Sequence, residues 1–101
     1  MKKEQLHSYL QHGCRGKANA VSGSELAKAM GISGNELRRL VNRLRRESVP
    51  IASNSSGYFY AANAGEIYST ILSLWKMESG LRAAIAGLEH AMTDFPLGEA
   101  P

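Results

Sequence analysis

The chain has 101 residues, of which 44% are hydrophobic and 21% are charged, and its formal net charge is +3. This length allows one modest core with an appendage, which excludes a multidomain enzyme, and the composition excludes a disordered or fibrous protein. The start of the chain is polar, unlike a secretion signal, and Lys76 and Glu78 interrupt the longest apolar stretch, which argues against a membrane span. The lone Cys14 cannot form an internal disulfide. We therefore expect a small cytoplasmic protein with no membrane span, in which Cys14 is idle in a loop.

The charges are distributed unevenly along the chain. Residues 1–32 carry five Lys/Arg against two Glu, and residues 33–48 carry five Arg against two Glu, so each segment has a net charge of +3. Residues 62–101 carry two Lys/Arg against five Asp/Glu, which gives −3. The first half of the chain can therefore attract phosphate groups, whereas the carboxy-terminal part should not.

Two capping boxes follow a first, amphipathic helix. Residues 3–12 show helical spacing of apolar side chains, Gly13 should end that helix, and residues 20–21 can form a very short strand. Ser22 then precedes Glu25 by three positions, and Ser33 precedes Glu36 in the same way, which is the sequence signature of a helix start. The spacing predicts a helix over residues 23–30, a tight turn at 31–32 and a second helix over 33–48, a helix-turn-helix pattern.

A β-hairpin is predicted after the second of these helices. Residues 49–53 and 58–61 are rich in β-branched and aromatic side chains, and residues 54–57 between them form a turn cluster. Alternation along the second strand places Tyr58 and Tyr60 on one face and Phe59 on the other. One of these faces should cover the helices.

A long helix is predicted from residue 63 onward, with Asn63 as its N-cap and Glu66 three residues later. Its apolar side chains follow a heptad repeat in which Glu78 is the one polar member. Glu78 should therefore meet Lys76 or Arg82 of a partner, or mark the point at which the apolar seam opens. We expect the wide first half to pack on its own domain and the slim second half to pair with a second copy; a break at residues 79–80 is the alternative. The residues expected to form the dimer contact are Ile71, Leu74, Leu81, Ile85, Leu88 and Met92.

These elements divide the chain into a head at residues 1–61, a carboxy-terminal helix at 62–95 and a flexible tail at 96–101. The fold class expected is mainly α with a small β-hairpin. The order of elements and the stretch from Val21 to Ser33, together with the residues that follow it, resemble the winged helix-turn-helix superfamily. The resemblance is in particular to the amino-terminal DNA-binding domain of biotin repressors and related bacterial regulators. The resemblance covers about 40 residues, from Ala20 to Ala61. It rests on Leu26-Ala27, Gly31-Ile32-Ser33, Leu37, Val41, Leu44-Arg45, Pro50-Ile51 and Gly57-Tyr58.

The resemblance implies that the helix over residues 33–48 enters the DNA major groove and that the hairpin tip touches the DNA backbone or minor groove. At 100° per residue, Leu37, Val41 and Leu44 share one face, and Arg39 lies about 200° from Leu37. The outward face is rich in arginine and asparagine, the side chains that bond guanine and adenine edges. The expected DNA-binding residues are Ser33, Asn35, Arg38, Arg39, Asn42, Arg43 and Arg46.

Other basic residues are expected to contribute less. The hairpin tip, with Asn54, Ser55 and Ser56, carries no Lys or Arg and should make weak contacts to the DNA backbone or none. Lys2, Lys3, Arg15 and Lys17 are alternative phosphate contacts. Arg45 should lie at the boundary of the basic face and pair with Glu47 or Glu89.

No pattern of nucleophile, base and acid, and no phosphate-binding glycine loop, points to an enzyme. His12 and Cys14 are too few to form a zinc site. The aromatic side chains of residues 58–60 fit the core of a hairpin better than a surface on which single-stranded bases stack. We expect no enzymatic activity, cofactor, metal or small-molecule ligand. The expected function is sequence-specific binding of double-stranded DNA by a dimeric bacterial or prophage transcriptional regulator. Two alternatives remain: a protein-interaction adaptor that binds an acidic partner, and a phage replication accessory protein.

Overall fold

A computed structural model of the chain describes residues 1–95, and the predicted tail at 96–101 lies outside the described residues. The chain is mainly helical with one β-hairpin, so the predicted fold class is confirmed. Two compact units are present, Met1–Thr70 and the unit that begins at Ile71. The elements are α1 (Lys2–Gly13), α2 (Gly23–Met30), α3 (Gly34–Arg46), β1 (Ile51–Asn54), β2 (Gly57–Tyr60) and α4 (Ala64–Ala91), with short 3-10 turns at Lys17–Asn19 and Met92–Asp94.

Side-chain caps fix the starts of three helices where the sequence predicts them. The hydroxyl oxygens of Ser22 and Ser33 accept hydrogen bonds from the third residue of α2 and of α3, at 3.2 and 3.1 Å. Asn63 does the same for the N–H of Glu66 at 3.0 Å. Gly31 ends α2 in the left-handed conformation, with φ of 68°, which glycine adopts at little cost. Local chemistry therefore sets the boundaries of the helix-turn-helix.

The head is held together by a core between its three helices and the hairpin. The buried side chains come from every one of these elements, so none of them is peripheral. Cys14, which we expected to be idle in a loop, is a core residue with 6% exposure, and burial raises the pKa of its thiol. The buried members of this core are Leu6, Leu10, Cys14, Leu26, Ala27, Met30, Leu37, Val41, Leu44 and Ile51.

The strand β2 is hydrogen-bonded on both of its edges. It pairs antiparallel with β1, with Ala52 opposite Phe59. On its other edge, the N–H of Val21 donates to the carbonyl of Tyr58 at 2.9 Å and the N–H of Tyr58 donates back at 2.8 Å, so the short strand expected at residues 20–21 exists as a single bridge. The predicted alternation holds: Tyr58 and Tyr60 pack on the helical core, while Phe59 is buried on the other face.

Helix α4 is continuous over 28 residues, so the alternative with a break at residues 79–80 is wrong. At 1.5 Å per residue it is about 42 Å long. The sequence predicts that the wide first half of α4 packs on its own domain, and this is wrong for Tyr68, which is 56% exposed. Within Ala64–Ala91, Thr70 is the one buried residue. Glu78 pairs with Arg82 of its own helix at 2.7 Å. No described helix has the length and apolar character needed to cross a membrane.

Candidate nucleic-acid interface

Helix α3 has one buried face and one basic face. Leu37, Val41 and Leu44 are each 2% exposed, because they form part of the core. The opposite side is open to solvent, as the spacing of 100° per residue predicts. All seven residues proposed from the sequence are exposed: Ser33, Asn35, Arg38, Arg39, Asn42, Arg43 and Arg46.

The arginines of this face differ in what they contact. Within residues 1–95, the guanidinium groups of Arg39, Arg43 and Arg46 have no hydrogen-bonded partner. Arg38 instead donates to the side-chain oxygen of Asn35 at 2.9 Å. Three guanidinium groups are therefore available to an external acceptor without breaking a contact in the chain.

The two asparagines of the face also differ. Reading adenine requires the amide oxygen of asparagine as an acceptor and its nitrogen as a donor. In Asn35 the oxygen already accepts from Arg38. The Asn42 side chain is exposed and has no hydrogen bond among the described residues, so Asn42 is the better placed of the two.

The start of α3 contributes backbone donors. The Ser33 hydroxyl caps the N–H of Glu36, and the first N–H groups of a helix have no partner within it. A cleft of about 510 Å³ lies beside this turn, between α2, α3 and Tyr58, and it is lined by Lys28 as well as Arg38. Lys28 was missed in the sequence because it lies on α2, outside the arginine cluster; its proximity to α3 is a tertiary contact.

Arg45 does not belong to the basic face. The prediction that it pairs with Glu47 or Glu89 is wrong: its Nε donates to the Ile51 carbonyl at 2.8 Å and its Nη2 to the Ser53 hydroxyl at 3.1 Å. Burial lowers the pKa of Arg45, but the guanidinium still carries its charge at neutral pH. Arg45 therefore fixes the hairpin to α3.

The hairpin tip has little capacity for binding phosphate. Asn54 uses its side-chain oxygen to accept the N–H of Ser56 at 2.8 Å, which closes the turn. Ser55 and Ser56 are exposed and uncharged. Among the three tip residues proposed from the sequence, the hydroxyl groups of Ser55 and Ser56 are therefore the groups available to a phosphate. None of the three side chains carries a positive charge.

The two lysines at the start of α1 serve the fold. Lys2 donates to the carbonyl of Met30, at the end of α2, at 2.6 Å. Lys3 forms an ion pair with Glu47, the C-cap of α3, at 2.7 Å, and this hydrogen bond lowers the pKa of Glu47. Both cations lie at helix C-termini, where the backbone dipole favours positive charge. Arg15 and Lys17 have exposed side chains.

Among residues 1–95, no group of three His, Cys, Asp or Glu side chains is placed to hold a metal ion. No family model matches this chain, and neither a curated protein nor a solved structure matches it. A functional assignment therefore rests on the geometry of α3 and its surroundings.

Proposed function

We propose that this chain is a winged-helix protein that binds double-stranded DNA in a sequence-specific manner and acts as a homodimeric bacterial or prophage transcriptional regulator. It is supported above all by the exposed face of α3. Along this face lie Asn42 and three arginines that have no hydrogen-bonded partner among residues 1–95, while the opposite face of the helix is buried in the core. An α-helix with such a face fits the DNA major groove.

Each part of the surface has a role in this proposal. Arg39 and Arg43 bond the O6 and N7 atoms of guanines, and Asn42 bonds an adenine. The first turn of α3, with Ser33 and the nearby Lys28, binds a backbone phosphate and sets the position of the helix in the groove. The hairpin contributes little affinity because its tip is neutral.

A second candidate function is binding to an acidic protein partner through the same arginine face. The neutral hairpin tip favours it, since a DNA-binding wing usually gains affinity from basic residues. A phage replication accessory role would use the DNA-binding face as proposed above. The adaptor function differs from both in not requiring a nucleic acid.

The deciding experiment is a fluorescence anisotropy titration of the full chain with labelled duplex DNA at several salt concentrations. We expect the affinity to fall steeply with salt, because bound phosphates release counterions. Arg43→Ala should lower the affinity by a factor of about 5 to 160, which corresponds to about 1–3 kcal/mol for a base contact. Lys76→Ala is the matched control, because it removes the same charge from an exposed position on α4. Affinity that is insensitive to both salt and Arg43→Ala would favour the adaptor.

The homodimer is proposed from the apolar side chains that α4 leaves exposed. Such a stripe on a long helix is typical of a surface that another helix covers. Sedimentation at tens of micromolar tests the dimer, and a monomer there would contradict it. The exposed residues of the stripe are Ile71, Leu74, Leu81, Ile85, Leu88 and Met92.

A further inference from the structure

We propose that two copies of α4 pair antiparallel through their carboxy-terminal halves, with Arg82 of one copy beside the partner's Glu89. This inference rests on the proposed homodimer and adds the orientation and the register of its interface. It concerns residues 78–95, within the second compact unit.

The heptad repeat sorts the second half of α4 into a seam and two flanks. Leu81, Ile85, Leu88 and Met92 recur at gaps of 4, 3 and 4 and form the seam. One flank carries Arg82 and Glu89, seven residues apart and opposite in charge. The other flank carries Ala84 and Ala91, which are small enough to let two helix backbones approach closely.

A parallel pairing makes poor use of this pattern. In parallel helices each seam residue lies beside its own copy, so Glu78 would face the partner's Glu78 between apolar layers. Two carboxylates at such a position repel each other and lose hydration. The charged flank would then face the partner's Met77 and Ala84, so neither Arg82 nor Glu89 would gain an opposite charge.

An antiparallel pairing in one register resolves both problems. When Ile85 lies beside the partner's Leu88, Leu81 lies beside the partner's Met92. Two-fold symmetry then brings Arg82 and Glu89 together twice, since like flanks face each other in antiparallel helices. Shifting the register by one heptad in either direction would place Arg82 beside the partner's Arg82, or Glu89 beside the partner's Glu89.

The same register removes Glu78 from the apolar layers. Glu78 falls at the end of the overlap, next to the partner's Phe95, where water reaches its carboxylate. Its bond with Arg82 at 2.7 Å is retained, so that Arg82 lies between two carboxylates. Phe95 is 67% exposed in the single chain and borders an apolar groove of about 340 Å³, shared with Leu88 and Met92, that the second helix would cover.

In this register the dimer contact is shorter than the one predicted from the sequence. Leu81, Ile85, Leu88 and Met92 fall within the overlap, whereas Ile71 and Leu74 fall outside it. Leu88→Asn should therefore abolish the dimer, and Leu74→Asn should leave it in place.

Charge exchange tests the orientation on the full-length protein. In sedimentation equilibrium, Arg82→Glu and Glu89→Arg should each weaken self-association by roughly tenfold, because two attractive pairs become repulsive. An equimolar mixture of the two variants should recover a dimer as tight as the wild type. Lys76→Glu is the control, since it makes the same charge change as Arg82→Glu at a position outside the seam and its flanks. In a parallel dimer the mixture would gain nothing over the single variants.

Disulfide trapping gives a second, independent readout. In a Cys14→Ala background, a chain with Leu81→Cys mixed with a chain carrying Met92→Cys should form a mixed disulfide. Leu81→Cys alone should not cross-link, because the two Leu81 positions lie about 16 Å apart along the antiparallel pair. A self-disulfide at Leu81 overturns the orientation while leaving the homodimer standing. A wild-type protein that is monomeric at tens of micromolar overturns the homodimer itself, and the DNA titration is decided separately.

Discussion

The backbone N–H of Ser53 donates a hydrogen bond to the hydroxyl of Thr70 at 3.1 Å, and this bond joins β1 to the first turns of α4. The Ser53 hydroxyl in turn accepts from Arg45 of α3 at 3.1 Å. Thr70 also donates to the carbonyl of Glu66 at 3.2 Å, within its own helix. Ser53 is therefore the point at which the hairpin, α3 and α4 are fastened together.

Replacing Thr70 by valine should destabilise the head. Valine keeps the shape of threonine but leaves the Ser53 N–H without its acceptor, which costs about 1–2 kcal/mol for a partly buried donor. Urea denaturation measures the change, and Thr70→Ser, which keeps the hydroxyl, should recover most of it. Thr93→Val is the control at an exposed hydroxyl. A urea midpoint of Thr70→Val equal to that of wild type would mean that water accepts the hydrogen bond of the Ser53 N–H in the variant.

Arg45 should matter for the stability of the fold, whereas Arg43 should matter for DNA binding. Arg45→Met removes two hydrogen bonds between α3 and β1 and should cost about 1–3 kcal/mol of unfolding free energy. Arg43→Met should leave stability within about 0.5 kcal/mol, since the side chain is exposed. In the anisotropy titration the order reverses: Arg43→Met weakens DNA binding, and folded Arg45→Met binds as wild type does. Equal loss of affinity in both variants would place Arg45 in the interface.

Asn42 should matter more than Asn35 for DNA sequence preference. Asn42→Ala removes a reader whose oxygen and nitrogen are both available, at about 1–3 kcal/mol on the preferred site. Asn35→Ala removes a side chain whose oxygen is already bonded to Arg38. Selection from a random duplex pool with each variant measures the change. If Asn35→Ala relaxes the preference and Asn42→Ala does not, α3 lies in the groove in a different rotation from the one proposed.

The helices were predictable because the information that sets them is local. Ser22, Ser33 and Asn63 each cap a donor three residues away, so short sequence windows are sufficient to place the starts of α2, α3 and α4. The basic face of α3 followed from the helical period for the same reason.

The contacts that position these helices were not predictable in this way. Lys3 meets Glu47 across 44 residues, and Ser53 meets Thr70 across 17. Polar residues at such separations carry no periodic signal, and their pairing depends on how the helices cross. The same limit explains Cys14 and Arg45: each looks like a surface residue in the sequence, and tertiary packing buries the thiol and directs the guanidinium to β1.

Glu66 should make stability depend on pH in the acid range. Hydrogen bonds from the backbone N–H groups of Ala62, at 2.8 Å, and Lys17, at 3.1 Å, lower the pKa of Glu66 below its ordinary value of 4.5. Because the folded-state pKa lies below the unfolded-state value, the ionised carboxylate stabilises the fold fully above that unfolded value. This contribution disappears as the pH falls through the folded-state pKa.

The measurement is the urea midpoint of wild type and Glu66→Gln from neutral pH to pH 3. The variant should be less stable at neutral pH, and the two curves should converge in acid. Glu25→Gln is the control for the substitution itself, because the Glu25 carboxylate makes no hydrogen bond among the described residues. Curves for Glu66→Gln that stay parallel to wild type would show that the two backbone bonds do not depend on the charge.

Replacing either of two glycines by alanine should change the free energy of unfolding, but in opposite directions. A Cβ at Gly57 would lie 2.0 Å from the carbonyl oxygen of Val21, and its φ of +130° is a conformation that other residues rarely adopt. Because β2 is held against Val21 by two backbone hydrogen bonds, the strand cannot retreat, and Gly57→Ala should cost more than about 3 kcal/mol. Gly80 has no atom within 4 Å of such a Cβ and lies in the middle of α4, so Gly80→Ala should stabilise the helix by about 0.5–1 kcal/mol. Circular dichroism during thermal unfolding distinguishes the two. A loss of self-association in Gly80→Ala would mean that a second chain packs against Gly80, a position outside the seam proposed for the antiparallel pair.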